Sequence, residues 1–189
     1  MAFQLLSECA LAAGCQTISA LEEWDDQMDR LLLPYEQANP LTNLNLVNID
    51  AAYFMFDLVA ERVVLAYAIS KPSLTRRDAS RIRGFPNVNA SVKRVMGENA
   101  FLADKGHFVG HASGGPLDIN LFPQRRELNR GWSEEGKRYR AMERYVAENT
   151  GTFFYSLPIY DDDSWVPAKL EFAILKPDNT WWIDRFSNK

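Results

Sequence analysis

The chain is short of the residues most often used to build sites: it has two cysteines and two histidines among 189 residues. Cys9 and Cys15 lie six apart in the apolar run "CALAAGC", a spacing that does not align them on one helix face. The expectation is two buried thiols, not a disulfide or a metal site. A long hydrophobic run is also missing. The most apolar stretch, "YFMFDLVAERVVLAYAI", is broken by Asp57, Glu61 and Arg62, which excludes a membrane-spanning helix of roughly 18 uncharged residues. The start of the chain lacks the basic region and small-residue cleavage site of a signal peptide, and its first charge is Glu8. Export is therefore expected only by a non-classical route or after removal of a leader. Internal repeats and low-complexity segments are absent. With 47% hydrophobic residues, the composition suits one sizeable core and does not match that of a disordered chain.

Positive charge is nearly absent from the first third. Residues 1–60 carry nine acids and one base, Arg30, for a net charge of −8, whereas residues 61–189 carry +4. The pI of 5.3 therefore conceals a basic remainder. Residues 125–144, "RRELNRGWSEEGKRYRAMER", hold seven bases against four acids, and "TRRDASRIR" adds four more between Arg76 and Arg83. Such clusters suit a polyanion, although mixed charge is also what a solvated helix face carries.

Periodicity and breakers give a coarse order of elements. Residues 2–34 read as helical until Pro34 stops the pattern, and "ANPLTNLNLVN" reads as loop. "AYFMFDL" and "RVVLAYAIS" read as a hairpin, and "KPSLTRRDASRIRGFPNVNAS" as largely irregular around Pro72 and Pro86. "DKGHFVGHASGG" and "DINLFPQ" form a strand and its return. Ser133 N-caps a helix with Glu134 and Glu135 in its first turn, ending at Thr150–Gly151. "GTFFYSLPIY", "AKLEFAILK" and "TWWIDRF" alternate as closing strands. Both histidines, His107 and His111, fall in the glycine-rich strand segment. An H-x-x-x-H pair binds zinc when helical, but Gly106, Gly110, Gly114 and Gly115 argue against a helix here.

The string "DKGHFVGHASGG...INLFPQRRELNRGW...MERY", followed by "GTFFYSLPIYDD...WVPAKLEFAIL", resembles the DNA/RNA non-specific endonucleases of the ββα-metal (His-Me finger) superfamily. The resemblance spans roughly residues 46–189. It implies an α+β fold in which a ββα-metal finger is embedded in a small antiparallel sheet, with 46–189 as the nuclease core; residues 1–45 fall outside it and read as an acidic helical extension that packs on the core, docks a partner or forms a lid over the basic face. It further implies hydrolysis of DNA, with RNA left open as a second substrate, to leave 5′-phosphate ends. The cofactor would be one Mg²⁺-type ion, with Mn²⁺ as substitute. A bacterial toxin effector restrained by an inhibitor or immunity protein would use such a module. The other reading is a catalytically weak relative that binds nucleic acid or a protein through the same basic surface.

Phosphodiester hydrolysis needs a base for water, a cation to neutralise charge on the phosphorane, and support for the departing oxygen. The resemblance assigns the base to His107, whose imidazole is competent near neutral pH. Lys105 replaces the family's arginine, keeping charge but losing bidentate phosphate contact, so turnover slower than the family's is expected. Asp104 is expected to be positional. Gly106 would let the backbone approach substrate or turn. Asn129 matches the metal-binding asparagine, and Asn120 a second one that touches a metal-bound water. Glu143 stands fourteen after Asn129, an interval that returns a continuous helix close to the same face. Many members place the glutamate eight after the asparagine, where this chain has Lys137, so Glu135 or no carboxylate remain as alternatives. His111 would contact substrate or a site residue, and Arg126, Arg130 and Arg140 are expected on phosphates, with Arg125 and Arg138 nearby. Trp132, Trp165, Trp181 and Trp182 read as core or rim aromatics, and Asp161 to Asp163 as a solvated turn.

Overall fold

The computed structural model describes residue 15 and residues 22–73, 86–117 and 119–189. Eight strands are present among them: β1 (Leu44–Ile49), β2 (Ala52–Asp57), β3 (Arg62–Ile69), β4 (Ala103–His107), β5 (Leu121–Arg125), β6 (Phe153–Ile159), β7 (Lys169–Leu175) and β8 (Trp181–Ser187). Four α-helices accompany them: α1 (Trp24–Ala38), α2 (Val88–Met96), α3 (Arg126–Arg130) and α4 (Glu134–Glu148). The fold is α+β and its strand pairs are antiparallel. One six-stranded sheet runs in the order β1-β2-β3-β6-β7-β8, and β4 and β5 make a separate two-stranded sheet. The hairpin read at 52–70, the paired strands on either side of residues 108–120 and the three closing strands are all present.

The strands β3, β6 and β7 are almost continuously apolar because the central sheet is covered on both faces. Leu65, Tyr67, Ile69, Phe153, Tyr155 and Leu175 face α1, which inserts Trp24, Met28 and Leu32. Trp24 meets Phe153 edge-on at 4.7 Å and Tyr67 at 5.1 Å. Residues of the opposite alternation, Phe154, Leu170, Phe172 and Ile174, pack against Phe108, Phe122, Leu128, Tyr139, Met142 and Val146. That second layer is the chain between β3 and β6. Its neck is pinched shut by Ser70 N donating to Thr152 O and Gly151 N donating to Ser70 O, both at 2.8 Å.

Four sequence expectations are corrected. Pro34 does not end the first helix: it lies inside α1 on the exposed side, where the acceptor it leaves without a donor faces water. Tyr35, just beyond it, secures the helix by donating to Asp57 Oδ2 at 2.7 Å and accepting from Arg62 Nε at 3.0 Å. The segment read as loop contains β1, an edge strand whose asparagines hid it; pairing with β2, from Leu44↔Asp57 to Ile49↔Ala52, supplies what local propensity does not. The boundary drawn at residue 45 therefore falls inside a strand. The irregular segment ends in α2, capped by Asn87 Oδ1, which accepts from Asn89 N and Ala90 N. Asn89 in turn brackets Ala103, donating to its carbonyl and accepting from its N–H, so α2 sets the start of β4. Finally, Asn129 and Glu143 do not share one continuous helix: Gly131, at φ +71°, ends α3 before Ser133 caps α4. Gly136 does not break α4 but lies within its first turn. A Cβ there would collide with the Glu127 carbonyl of α3, so glycine is what lets the two helices meet.

Cys15 is a buried thiol, and Cys9 lies outside the described residues, as does the Arg76–Arg83 cluster. Among the described residues no helix is long and apolar enough to cross a membrane.

Candidate active site

Strand alternation puts Lys105 and His107 on one side of β4 and Asp104 and Gly106 on the other. Lys105, His107, Asn129, Arg140, Glu143 and Arg144 line a single cavity of about 450 Å³. Its floor is apolar, from Phe108, Val146, Phe154 and Phe172. Three elements thus contribute: β4, the C-terminal turn of α3, and one face of α4. On α4 the positions 140, 143, 144 and 147 recur at i, i+3, i+4 and i+7 and face the cavity, while Tyr139, Met142 and Val146 are buried towards the sheet.

Asp104 is bound by two arginines, Arg130 Nε at 2.5 Å and Arg126 Nε at 3.2 Å. Partial burial works against its charge, yet the guanidinium groups of Arg130 and Arg126 hold its carboxyl below the usual range. Asp104 therefore ties β4 to α3 and positions the strand that carries His107. The same pairing engages Arg126 and Arg130, neither of which lines the cavity. Arg125 is paired with Glu135 at 2.7 Å and Arg138 with Asp184 at 2.8 Å. Gly106 has a reason other than substrate or a turn: a Cβ there would stand 2.5 Å from Gln124 Cβ and Oε1 on the neighbouring strand.

Of the two acids considered, only Glu143 reaches the cavity. Glu135 instead fixes the start of α4 to β8, accepting from Arg125 and from Ser187 N at 3.2 Å. Glu143 Oε2 accepts from Arg140 Nη1 at 2.8 Å. Burial raises the Glu143 pKa, and Arg140 and the neighbouring Tyr139 hydroxyl act in the opposite direction.

Asn120 is not where the resemblance implied. It is fully buried and absent from the cavity wall. Its Oδ1 accepts from Val109 N at 2.8 Å, and its Nδ2 donates to Val109 O and Pro116 O, each at 2.7 Å. Its amide is spent on holding the backbone that follows His107. That loop is also held to the central sheet, since Ser156 Oγ donates to Phe108 O at 2.6 Å and Phe108 stacks on Phe122 at 4.4 Å. His111 opens a 3₁₀ turn, lines the cavity, and has Nε2 3.2 Å from Ser73 Oγ. It shares no helix face with His107, which ends β4.

Among the described residues no three His, Cys, Asp or Glu side chains form a group that could hold a metal ion. Besides the Ser113 hydroxyl, the cavity's side-chain oxygens are the Asn129 amide and the Glu143 carboxylate. Two hard oxygens do not make a zinc site, but they fit a Mg²⁺-type ion, which keeps most of its water. Asp161 to Asp163 offer no rival site. Asp162 caps its own turn through Ser164 N at 2.9 Å and pairs with Lys189 at 3.2 Å.

Arg144 went unassigned in the sequence, although it belongs to the basic cluster and stands four after Arg140. It lines the cavity and has no carboxylate partner among the described residues. Trp132 is the exposed tryptophan, 62% accessible, with Arg130 5.0 Å above its ring. Trp165 packs with Val88 and Val92, and Trp181 and Trp182 pack on the two cores. No protein-family model matches the chain, and no curated protein matches it in sequence.

Proposed function

We propose that the protein is a metal-dependent, largely sequence-non-specific endonuclease, in which β4, β5 and the helices after them act as a ββα-metal finger. One observation carries the reading: a histidine, an amide oxygen and a carboxylate from three different elements, His107, Asn129 and Glu143, line the same cationic cavity. His107, in its neutral form, would take a proton from the attacking water. Asp104 would hold the strand beneath it through Arg126 and Arg130. Asn129 and Glu143 would hold the divalent ion, and Lys105, Arg144 and Arg140 would bind the phosphodiester. Such an ion, when bound, stabilises charge on the phosphorane and the leaving oxygen. The apolar floor would limit stray water beneath the phosphate.

A second reading draws on the charge pairing. Arg126 and Arg130 are engaged by Asp104, and Arg140 by Glu143, which leaves less free positive charge than the sequence implies. Fewer free cations mean a weaker grip on phosphate, which favours the catalytically weak relative over a full nuclease. The proposal extends to an inhibitor or immunity protein as partner in a bacterial toxin system. The acidic residues Asp25, Asp26 and Asp29 of α1 lie on the helix that covers the far face of the sheet, so any acidic lid over the cavity would have to come from elsewhere.

Incubating plasmid DNA with the protein, with and without Mg²⁺ and EDTA, tests both readings beside His107→Ala and Asn129→Ala. Mg²⁺-dependent nicking lost in both variants is expected. Cleavage surviving both substitutions would end the assignment, and tight binding without cleavage by the unaltered protein would select the second reading.

A further inference from the structure

Arg140 and Glu143 present a conflict within the proposed site. The carboxylate that would hold the cation already accepts from Arg140 Nη1 at 2.8 Å, one turn away on α4. Both side chains line the cavity, yet they differ in exposure, 21% for Glu143 and 54% for Arg140. A carboxylate in a partly enclosed site needs a counter-charge, and Arg140 is bonded to it directly. A guanidinium and a divalent ion held on the same small carboxylate repel each other at close range, so binding of the ion weakens the arginine's hold. The arginine's stem packs over Gly131, where an added Cβ would lie 3.0 Å from Arg140 Cγ. Once off Glu143, its head would remain on the same helix face as Arg144, four residues on.

Resting on the nuclease reading, we infer that Arg140 is a latch: it neutralises Glu143 until a divalent cation takes that carboxylate, and the freed guanidinium then binds the phosphate of the polyanion. The cavity gains positive charge twice, from the ion and from the released arginine. Cation and nucleic acid therefore bind cooperatively, and each must raise the affinity of the other by the same factor. The pair spans one turn and its guanidinium is more than half exposed, so it is weak enough to exchange. The pairing also accounts for a site that keeps an acid facing the phosphate without repelling it before the ion arrives.

The test measures Mn²⁺ binding by electron paramagnetic resonance, and duplex oligonucleotide binding at fixed ionic strength, in a His107→Ala background that prevents cleavage. Adding Arg140→Gln is expected to tighten Mn²⁺ binding without DNA by about fivefold and to remove most of the gain in DNA affinity that Mn²⁺ confers. Adding Glu143→Gln as well should abolish the tightening. Arg144→Gln makes the same charge change without freeing a carboxylate and should tighten Mn²⁺ far less. Equal effects of the two arginine substitutions, or unchanged Mn²⁺ affinity in Arg140→Gln, would overturn the latch. If His107-intact protein cleaves DNA while Arg140→Gln leaves Mn²⁺ affinity alone, only the latch falls. If no variant binds Mn²⁺ and the intact protein does not cleave, the nuclease reading falls and takes the latch with it. Thermal melting establishes that each variant is folded.

Discussion

Replacing Asn120 distinguishes a structural amide from a metal contact. Asn120→Ala deletes three hydrogen bonds, two buried with Val109 N and Val109 O and one part-buried with Pro116 O, at 2.7–2.8 Å. At about 1 kcal/mol net each, with three backbone groups left unsatisfied, the loss is roughly 3 kcal/mol or more. For a chain of this length that lowers Tm by roughly 6–12 °C. Asn120→Asp keeps an acceptor for Val109 N but loses both donations and sets a carboxylate against two carbonyl oxygens, so it should destabilise at least as much. A metal contact behaves oppositely: aspartate would retain or strengthen cation binding, and neither variant would melt early. Differential scanning calorimetry, paired with Mn²⁺ titration of each folded variant, separates the cases. A Tm within about 2 °C of the unaltered protein, together with lost Mn²⁺ affinity in Asn120→Ala, would refute the structural role.

Asp57 supplies a pH signature. Burial opposes its charge, but the nearby Thr42 hydroxyl and hydrogen bonds from Tyr35, Asn43 N and Val59 N bring its pKa down from 3.8 to about 2. A lowered folded-state pKa contributes stability above the unfolded value and loses it as pH falls through the folded one. About 2 kcal/mol present at neutral pH should therefore fade from about pH 4 towards pH 2, and Asp57→Asn should flatten that slope in urea titrations. Gly106→Ala forces a Cβ onto Gln124 and should cost about 1–3 kcal/mol by denaturant unfolding. Trp24→Ala, at a side chain 1% exposed between Tyr67 and Phe153, should cost about 3–5 kcal/mol in the same assay. Deleting residues 1–45 strips α1 from the sheet and cuts β1, so insoluble protein is expected; a soluble protein with raised, salt-dependent activity would instead support an acidic lid.

Much of the site's raw material was readable from one dimension because it follows local rules. Period-two spacing places Lys105 and His107 on the same side of β4, and Ser133 marks the start of α4. Helical spacing likewise aligns Arg140, Glu143 and Arg144. What misled were features whose meaning depends on distant partners. Pro34 stays within a helix because Tyr35 is anchored to Asp57 and Arg62, and β1 exists because β2 offers a ladder. The fourteen-residue interval from Asn129 to Glu143 picked two residues that line one cavity, but by the wrong route, since two helices packed through Gly136 replace the single one assumed. Charge counts could not tell which arginines are engaged, because Asp104 and Glu143 meet theirs only in three dimensions.

The β2–β3 hairpin, the three closing strands, the start of α4 and the polarity of the two ends of the chain were set by the sequence on its own, since propensity, periodicity and capping act within a few residues. Tertiary structure alone decided that Asn120 supports the loop, that Glu135 clamps β8 while Glu143 reaches the cavity, and that Arg144 has no acidic partner among the described residues. Hydrogen bonds and ion pairs form at about 3 Å, and only folding determines which groups come that close.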